Sequence, residues 1–199
     1  MLAPETVTEL SDEEIVTRTL RERSNFGVIV NRFEEKLTRY IRRLGVHVHE
    51  DRQDLLQEIF IKVYKNLNGF DSSLSFSSWI YRIAHNETIS WYRKHSVRPE
   101  GHLVQSSDDL FLFIPDSSAS VEQLIDLKID AEFLNQALLK LESKYRNPII
   151  LRFFEHKEYD EISDILKIPI GTVGTLISRG KKKLQTILTP THPVLTNLP

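Results

Sequence analysis

Between residues 75 and 94 the chain concentrates side chains that do more than fill a core. Trp79, Arg82, Asn86, Ser90 and Arg93 recur at helical intervals and share one continuous face, with Lys94 beside it. A tryptophan offers a flat ring on which a base can stack, and guanidinium and ammonium groups hold phosphates. The mixture suits single-stranded DNA. A second constellation lies near the C-terminus. Thr172, Thr175, Ser178 and Arg179 have the size and polarity to enter a major groove, and Lys181, Lys182 and Lys183 follow where phosphates would run. A third set, Asp54, Gln57, Glu58, Ile61 and Lys65, is spaced by threes and fours opposite an apolar stripe of Leu56, Ile59, Phe60, Val63 and Leu67. Ile61 inside this polar face suits a protein partner's surface better than bare solvent.

Other chemistries are weaker. His47 and His49 with Asp51 begin a metal-ligand pattern, but no downstream cluster completes it. Asp54 and Glu58 stand one helical turn apart, as carboxylates do in acid–base or di-metal sites. No Glu-x-x-His partner answers them, so a surface role is the better reading. No glycine-rich phosphate loop and no nucleophile elbow occur. Cysteine is absent, which excludes disulfides and thiolate metal sites and fits a reducing compartment. These readings leave no catalytic residue, no metal and no cofactor.

The elements that must position these faces are helices. Ser11 followed by Asp12, Glu13 and Glu14 caps a first helix expected to reach residue 23. A second is expected over 28–44, burying Ile29, Phe33, Leu37, Tyr40, Ile41 and Leu44 and closed by Gly45. The third spans 52–67 and ends at Asn68-Gly69, and the fourth spans 75–94. Periodicity then fails over residues 96–119, which are rich in serine, proline and aspartate and have the composition of a linker. Its apolar run 110–114 reads as a piece that docks on a partner. Helices resume over 121–141, 145–155, 159–166 and 170–188. The tail from 189 carries three prolines.

Residues 159–173 have helix-turn-helix grammar. A short amphipathic helix buries Ile162, Ile165 and Leu166, Pro169 prevents its continuation, and Val173, Leu176, Ile177 and Leu184 face inward from the next helix. The expected fold is all-α: two small helical domains joined by a flexible linker, the C-terminal one holding the helix-turn-helix. Boundaries fall at 1–95, 96–120 and 121–188, followed by the tail 189–199.

The net charge of −2 hides a pattern along the chain: −3 over 1–24, +3 over 25–100, −6 over 101–136 and +4 over 137–199. Two modestly basic blocks flank an acidic segment, a pattern that on charge alone fits contact with a polyanion and ordinary solvated helix faces equally. No apolar run approaches the roughly 18 residues that cross a bilayer. The first ten residues lack the basic start of a signal peptide. A cytoplasmic protein without direct membrane insertion is expected.

These residues carry a resemblance. The stretch Asp54-Leu55-Leu56-Gln57-Glu58-Ile59-Phe60 closely resembles region two of bacterial sigma factors of the extracytoplasmic-function (ECF) group, and 138–184, with Glu161-Ile162 and Gly171-Thr172-Val173, resembles region four. The resemblance covers about 26–95 and 121–188. It implies a non-catalytic subunit that binds core RNA polymerase and recognises promoter DNA, both duplex and melted strand. It also implies an anti-sigma protein as antagonist. By position, Asp54, Gln57, Glu58, Ile61 and Lys65 become polymerase contacts. Trp79, Arg82, Asn86, Arg93 and Lys94 contact the opened downstream element. Thr172, Thr175, Ser178, Arg179, Lys181, Lys182 and Lys183 serve the upstream one. The linker would run near the polymerase active-site channel and RNA exit path. Gly174 and Leu176 depart from the family, which places basic residues there, and Ser90 stands where it often has aspartate. A stand-alone regulator using only the helix-turn-helix is the competing class. It would dimerise on palindromic sites and needs neither the Asp54 pattern nor the Trp79 stripe. A metallohydrolase built on His47 and His49 is a remote third.

Overall fold

The computed structural model describes residues 10–71, 74–95 and 131–188, and all of their regular structure is helical. The expected linker, the docking run 110–114, the onset of a helix at 121 and the tail lie outside the described residues.

Helix α1, Asp12–Arg21, starts on a reciprocal cap. The Glu14 amide donates to the Ser11 hydroxyl at 3.1 Å, and the Ser11 amide donates to the Glu14 carboxylate at 2.8 Å. It stops short of residue 23 because Glu22 turns extended, and a 3-10 turn, Arg23–Asn25, leads into α2, Phe26–Leu44. The six apolar residues of its sequence stripe are the six it buries. Gly45 then adopts φ 119°, where a Cβ would meet the Tyr92 hydroxyl at 2.5 Å, so both conformation and space demand glycine. Helix α3, His49–Asn66, begins three residues earlier than the periodicity predicts. Glu50 and Asp51 sit in its first turn, where they complement the exposed amides. Helix α4, Phe76–His95, completes this region. Phe76 is fully buried, with Phe33, Phe70 and Trp79 rings 5.3 to 5.6 Å away.

The C-terminal region comprises α5, Ala131–Leu139, α6, Ser143–Ile149, α7, Tyr159–Leu166, and α8, Ile170–Leu188. The helix expected over 145–155 is interrupted. Pro148 has no N–H to give, and the chain widens into a π turn, Ile150–Phe154. After it His156 takes φ 52°, in the left-handed region, and the Lys157 amide folds back to the Leu151 carbonyl at 2.9 Å. Helix α7 closes on Lys167 at φ 55°, the Ser163 hydroxyl donates to the Ile168 carbonyl at 2.6 Å, and Pro169 begins the turn into α8. This is the expected helix-turn-helix. Gly180 lets α8 lie against α6: a Cβ there would fall 2.6 Å from Ile149 Cδ1 and 3.3 Å from the Tyr145 carbonyl.

The two helical regions pack against each other. Helix α4 lies along α7, the end of α2 meets the π turn and α5, and the buried residues of both regions join in one apolar cluster.

Candidate functional site

On α3 the helical repeat of about 100° per residue sorts the side chains cleanly. Leu55, Leu56, Ile59, Phe60 and Val63 are buried, while Asp54, Gln57, Glu58, Ile61 and Lys65 all stand exposed on the opposite face. Ile61 is 45% exposed, and Tyr64 next to the stripe is 41% exposed with Arg23 stacked over its ring. The structure therefore brings all five expected contacts together around an apolar centre, the anatomy of a protein-binding patch.

On α4 the expected strand contacts divide. Trp79, Arg82 and Asn86 line one open cavity of about 300 Å³ together with Lys62, Asn66, Gly69, Ile83 and Glu87. Arg93 and Lys94 are exposed on the last turn, beyond that cavity. Trp79 is more enclosed than a stacking platform: it is 8% exposed, with Phe70 and Phe76 against it. Its first duty is the core, and only a small part of it is left for the cavity wall. Asn86 is exposed. Lys62 donates to Glu87 at 2.6 Å, so a cation and a carboxylate stand side by side there. Such a cleft offers donors, acceptors and an apolar wall to an extruded base.

On α8, Thr172, Thr175, Ser178, Arg179, Lys182 and Lys183 occupy the arc opposite the buried Val173, Ile177, Gly180 and Leu184. Lys181 lies about 180° around the helix from Thr172, beside the buried face and outside that arc. One expectation of the packing needs correction. Leu176 is only half-buried, because its position turns it toward the polar arc rather than the core. Lys183 also lies 5.3 Å from the Tyr145 ring and 3.7 Å from Glu142, which ties it partly to α6.

Sequence reasoning missed a polar seam between α4 and the C-terminal region. At its deep end Glu155 accepts from Arg43 at 3.0 Å and from the Tyr81 hydroxyl at 2.6 Å, with its side chain 4% exposed. Tyr40, behind Tyr81, is hydrogen-bonded to His85 Nδ1 at 3.1 Å. Burial pushes the His85 imidazole down to about 4, so it is neutral at pH 7. Burial, reinforced by the Glu155 charge, pushes both phenols well up, so they stay protonated as donors. In the middle, Lys157 donates to Ser77 at 2.6 Å and to Glu161 at 3.1 Å, and Ser78 donates to Glu161 at 2.7 Å. Burial opposes ionisation of Glu161, but the hydrogen bonds from the Glu158 amide, Ser78 and Lys157 outweigh it and hold the carboxyl below its usual range. At the shallow end Arg82 donates to Asp164, which Lys167 also reaches at 2.5 Å. Removing Arg43 would strand a buried carboxylate, at about 3 kcal/mol. The half-exposed Arg82–Asp164 pair is worth about 1 kcal/mol or less. The signal for the seam was present in the sequence as serines at 77 and 78 inside a helix and a cluster of acids around Lys157 over 155–164, but helical periodicity cannot say which surfaces meet.

Among the described residues no three metal-ligating side chains cluster, and His47 and His49 are exposed. No described helix is long and apolar enough to cross a membrane.

Comparison with known proteins shows the family. The Sigma-70 region 2 family matches residues 29–98, and the family Sigma-70, region 4 matches 134–184. The chain is 35% identical over 166 residues to the ECF RNA polymerase sigma factor SigW of Bacillus subtilis (strain 168), covering 80% of this chain and 87% of that protein. It is 26% identical over 186 residues to the ECF RNA polymerase sigma-E factor of Escherichia coli (strain K12), covering 92% and 96%. Its fold resembles that of CnrH, solved in complex with the cytosolic domain of CnrY, with TM-score 0.68 at 21% identity over 91% of this chain and 99% of that one. It also resembles the sigma factor RpoE of Bartonella quintana, solved with the anti-sigma factor NepR, with TM-score 0.64 at 23% identity over 83% and 97%. With both regions matched and a relative 35% identical over most of its length, the chain belongs to the ECF RNA polymerase sigma factors.

Proposed function

We propose that this chain binds bacterial core RNA polymerase through the exposed α3 face, captures the melted downstream promoter strand on α4, and reads the duplex upstream element with α8. The observation that carries the reading is the α4 cleft, where Trp79, Arg82 and Asn86 meet Lys62 around a space of about 300 Å³. A cleft of mixed cation, amide and apolar wall suits an unstacked base, and capturing that base offsets part of the cost of opening the duplex.

The chain works as two functional units, 1–95 and 121–188, joined by the acidic stretch 96–120 that threads near the polymerase active-site channel. Chemistry belongs to the polymerase, and the chain supplies no catalytic group and no cofactor. It acts in the cytoplasm. Its antagonist is an anti-sigma protein that covers the polymerase-binding surface, a reading supported by the complexes in which its fold relatives were solved.

The test is photo-cross-linking from position 61. With a photoreactive residue in place of Ile61, core polymerase is expected to be trapped on mixing. A complex that forms without any cross-link from this position overturns the α3 assignment.

A further inference from the structure

The first half of α8 carries no cation with which to grip a base. Between Lys167 and Arg179 the chain has no charged residue. Thr172, Thr175, Leu176 and Arg179 follow one another at intervals of three and four, so their side chains adjoin on one patch of the helix. The two threonines and the leucine are each half-buried and lie off the buried line of Val173 and Ile177. The Thr175 hydroxyl donates to the Gly171 carbonyl at 3.1 Å. Its single proton is therefore engaged, and what it presents outward is a methyl group and an accepting oxygen. Packing does not force this uncharged surface: a Cβ on Gly174 would only touch the Tyr159 ring at 3.5 Å, an ordinary contact.

Each base shows a different edge in the major groove. Guanine is read by arginine or lysine, adenine by asparagine or glutamine, cytosine by a carboxylate, and thymine by apolar contact with its C5 methyl. Before Arg179 the patch holds none of the first three kinds of side chain, and all three of its residues bear methyl groups. The N-terminal turns of a recognition helix are the ones that meet base edges. We propose that the first half of α8 reads thymine methyl groups in the upstream element, with Thr175 and Leu176 as the specificity-determining residues. The inference rests on the reading of α8 as the duplex-reading helix. Guanine contact falls to Arg179, one turn beyond Thr175. Burying one thymine methyl against the patch strengthens binding about fourfold.

The test uses the full chain with core polymerase on an upstream element recovered by selection from random duplex. Each thymine of that element is replaced in turn by deoxyuridine, which removes the C5 methyl and leaves every hydrogen-bonding group in place. Binding is expected to weaken about fourfold at one thymine for each of the two residues. One penalty should vanish in Thr175→Ser, which keeps the hydroxyl and loses the methyl, and the other in Leu176→Ala. Repeating the selection with Leu176→Arg should move the preference at its position from thymine to guanine. Deoxyuridine without penalty, or penalties that persist unchanged in both variants, overturns the inference, and the first of these needs no variant to fold. Photo-cross-linking from 5-iododeoxyuridine at the same positions tests the underlying assignment separately. Cross-links outside α8 remove it and the inference with it, whereas cross-links within α8 and no deoxyuridine penalty remove the thymine reading alone.

Discussion

Arg82 on α4 and Asp164 on α7 lie 3.0 Å apart across the two helical regions, and the same arginine lines the cleft formed with Lys62 and Asn86. One guanidinium therefore belongs both to the seam between the two helical regions and to the wall of the α4 cleft. The adjoining polar groups on α4, Ser78 and Tyr81, donate to acids of the C-terminal region in the same way.

The α3 face is separable from the fold. Glu58 and Ile61 are exposed, and the residues that bury the helix are its neighbours on the other side. E58K together with I61E is expected to weaken core polymerase binding by about a hundredfold or more, the loss of a central apolar anchor plus a charge. Its melting temperature should stay within a few degrees of the unmodified chain. Polymerase titration and thermal unfolding check both halves, and unchanged binding by the folded variant would remove the assignment.

Trp79 and Asn86 share a cleft but not a role. Trp79→Ala empties a packed site between Phe70 and Phe76 and is expected to cost about 3–5 kcal/mol of stability. Asn86→Ala removes an exposed amide and should leave stability within about 0.5 kcal/mol. Its expected effect is a loss of about tenfold in open-complex formation, the cost of a hydrogen bond to a base. Denaturant unfolding and permanganate footprinting of the opened promoter separate the two, and equal effects in both assays for Asn86→Ala would contradict the cleft reading.

The first two of the three α8 lysines should behave differently although they are adjacent. Lys182 lies in the arc of Thr175 and Arg179, and Lys181 lies beside the buried face. Lys182→Ala is expected to lower the salt dependence of duplex promoter binding by about one ion, and Lys181→Ala to leave it unchanged. Affinities measured across a salt series decide this. Equal slopes for the two variants would place the DNA on a different face of α8.

Acid should loosen the chain before its carboxylates titrate. The unfolded chain protonates His85 near its ordinary 6.5, while the buried imidazole takes a proton only near 4. Its contribution is therefore complete above pH 6.5 and falls as the pH drops toward 4, by about 2 kcal/mol between pH 7 and pH 5. In His85→Gln that loss should disappear. Unfolding free energies at the two pH values test it, and an unaltered pH dependence in the variant would assign the effect elsewhere.

Much of this architecture was legible in the chain. The stripe from Ile29 to Leu44, the Ser11 cap, the Gly45 stop and the Pro169 turn each follow from a local rule, so each appears where its residues require it. The polar face of α3 was equally readable because helical geometry alone separates it from the core. Spacing alone sets Trp79 with Arg82 and Asn86 as a stacking platform, but Phe70 and Phe76 claim it through contacts that spacing does not encode. A run of lysines in the sequence does not make one face, because each step around a helix moves a side chain by about 100°, which sets Lys181 apart from Lys182. The seam was not legible for a further reason. Glu155, Glu161 and Asp164 read as ordinary solvated acids until α4 is laid against them.

The most direct measurement is initiation by core RNA polymerase, reconstituted with this chain, on a library of random promoter sequences. The account predicts transcripts that start selectively, enriched for one upstream and one downstream element at a fixed spacing, and absent when the chain is omitted or carries E58K/I61E. Transcription no more selective than core polymerase alone, with the chain folded and free of any bound inhibitor, would contradict it.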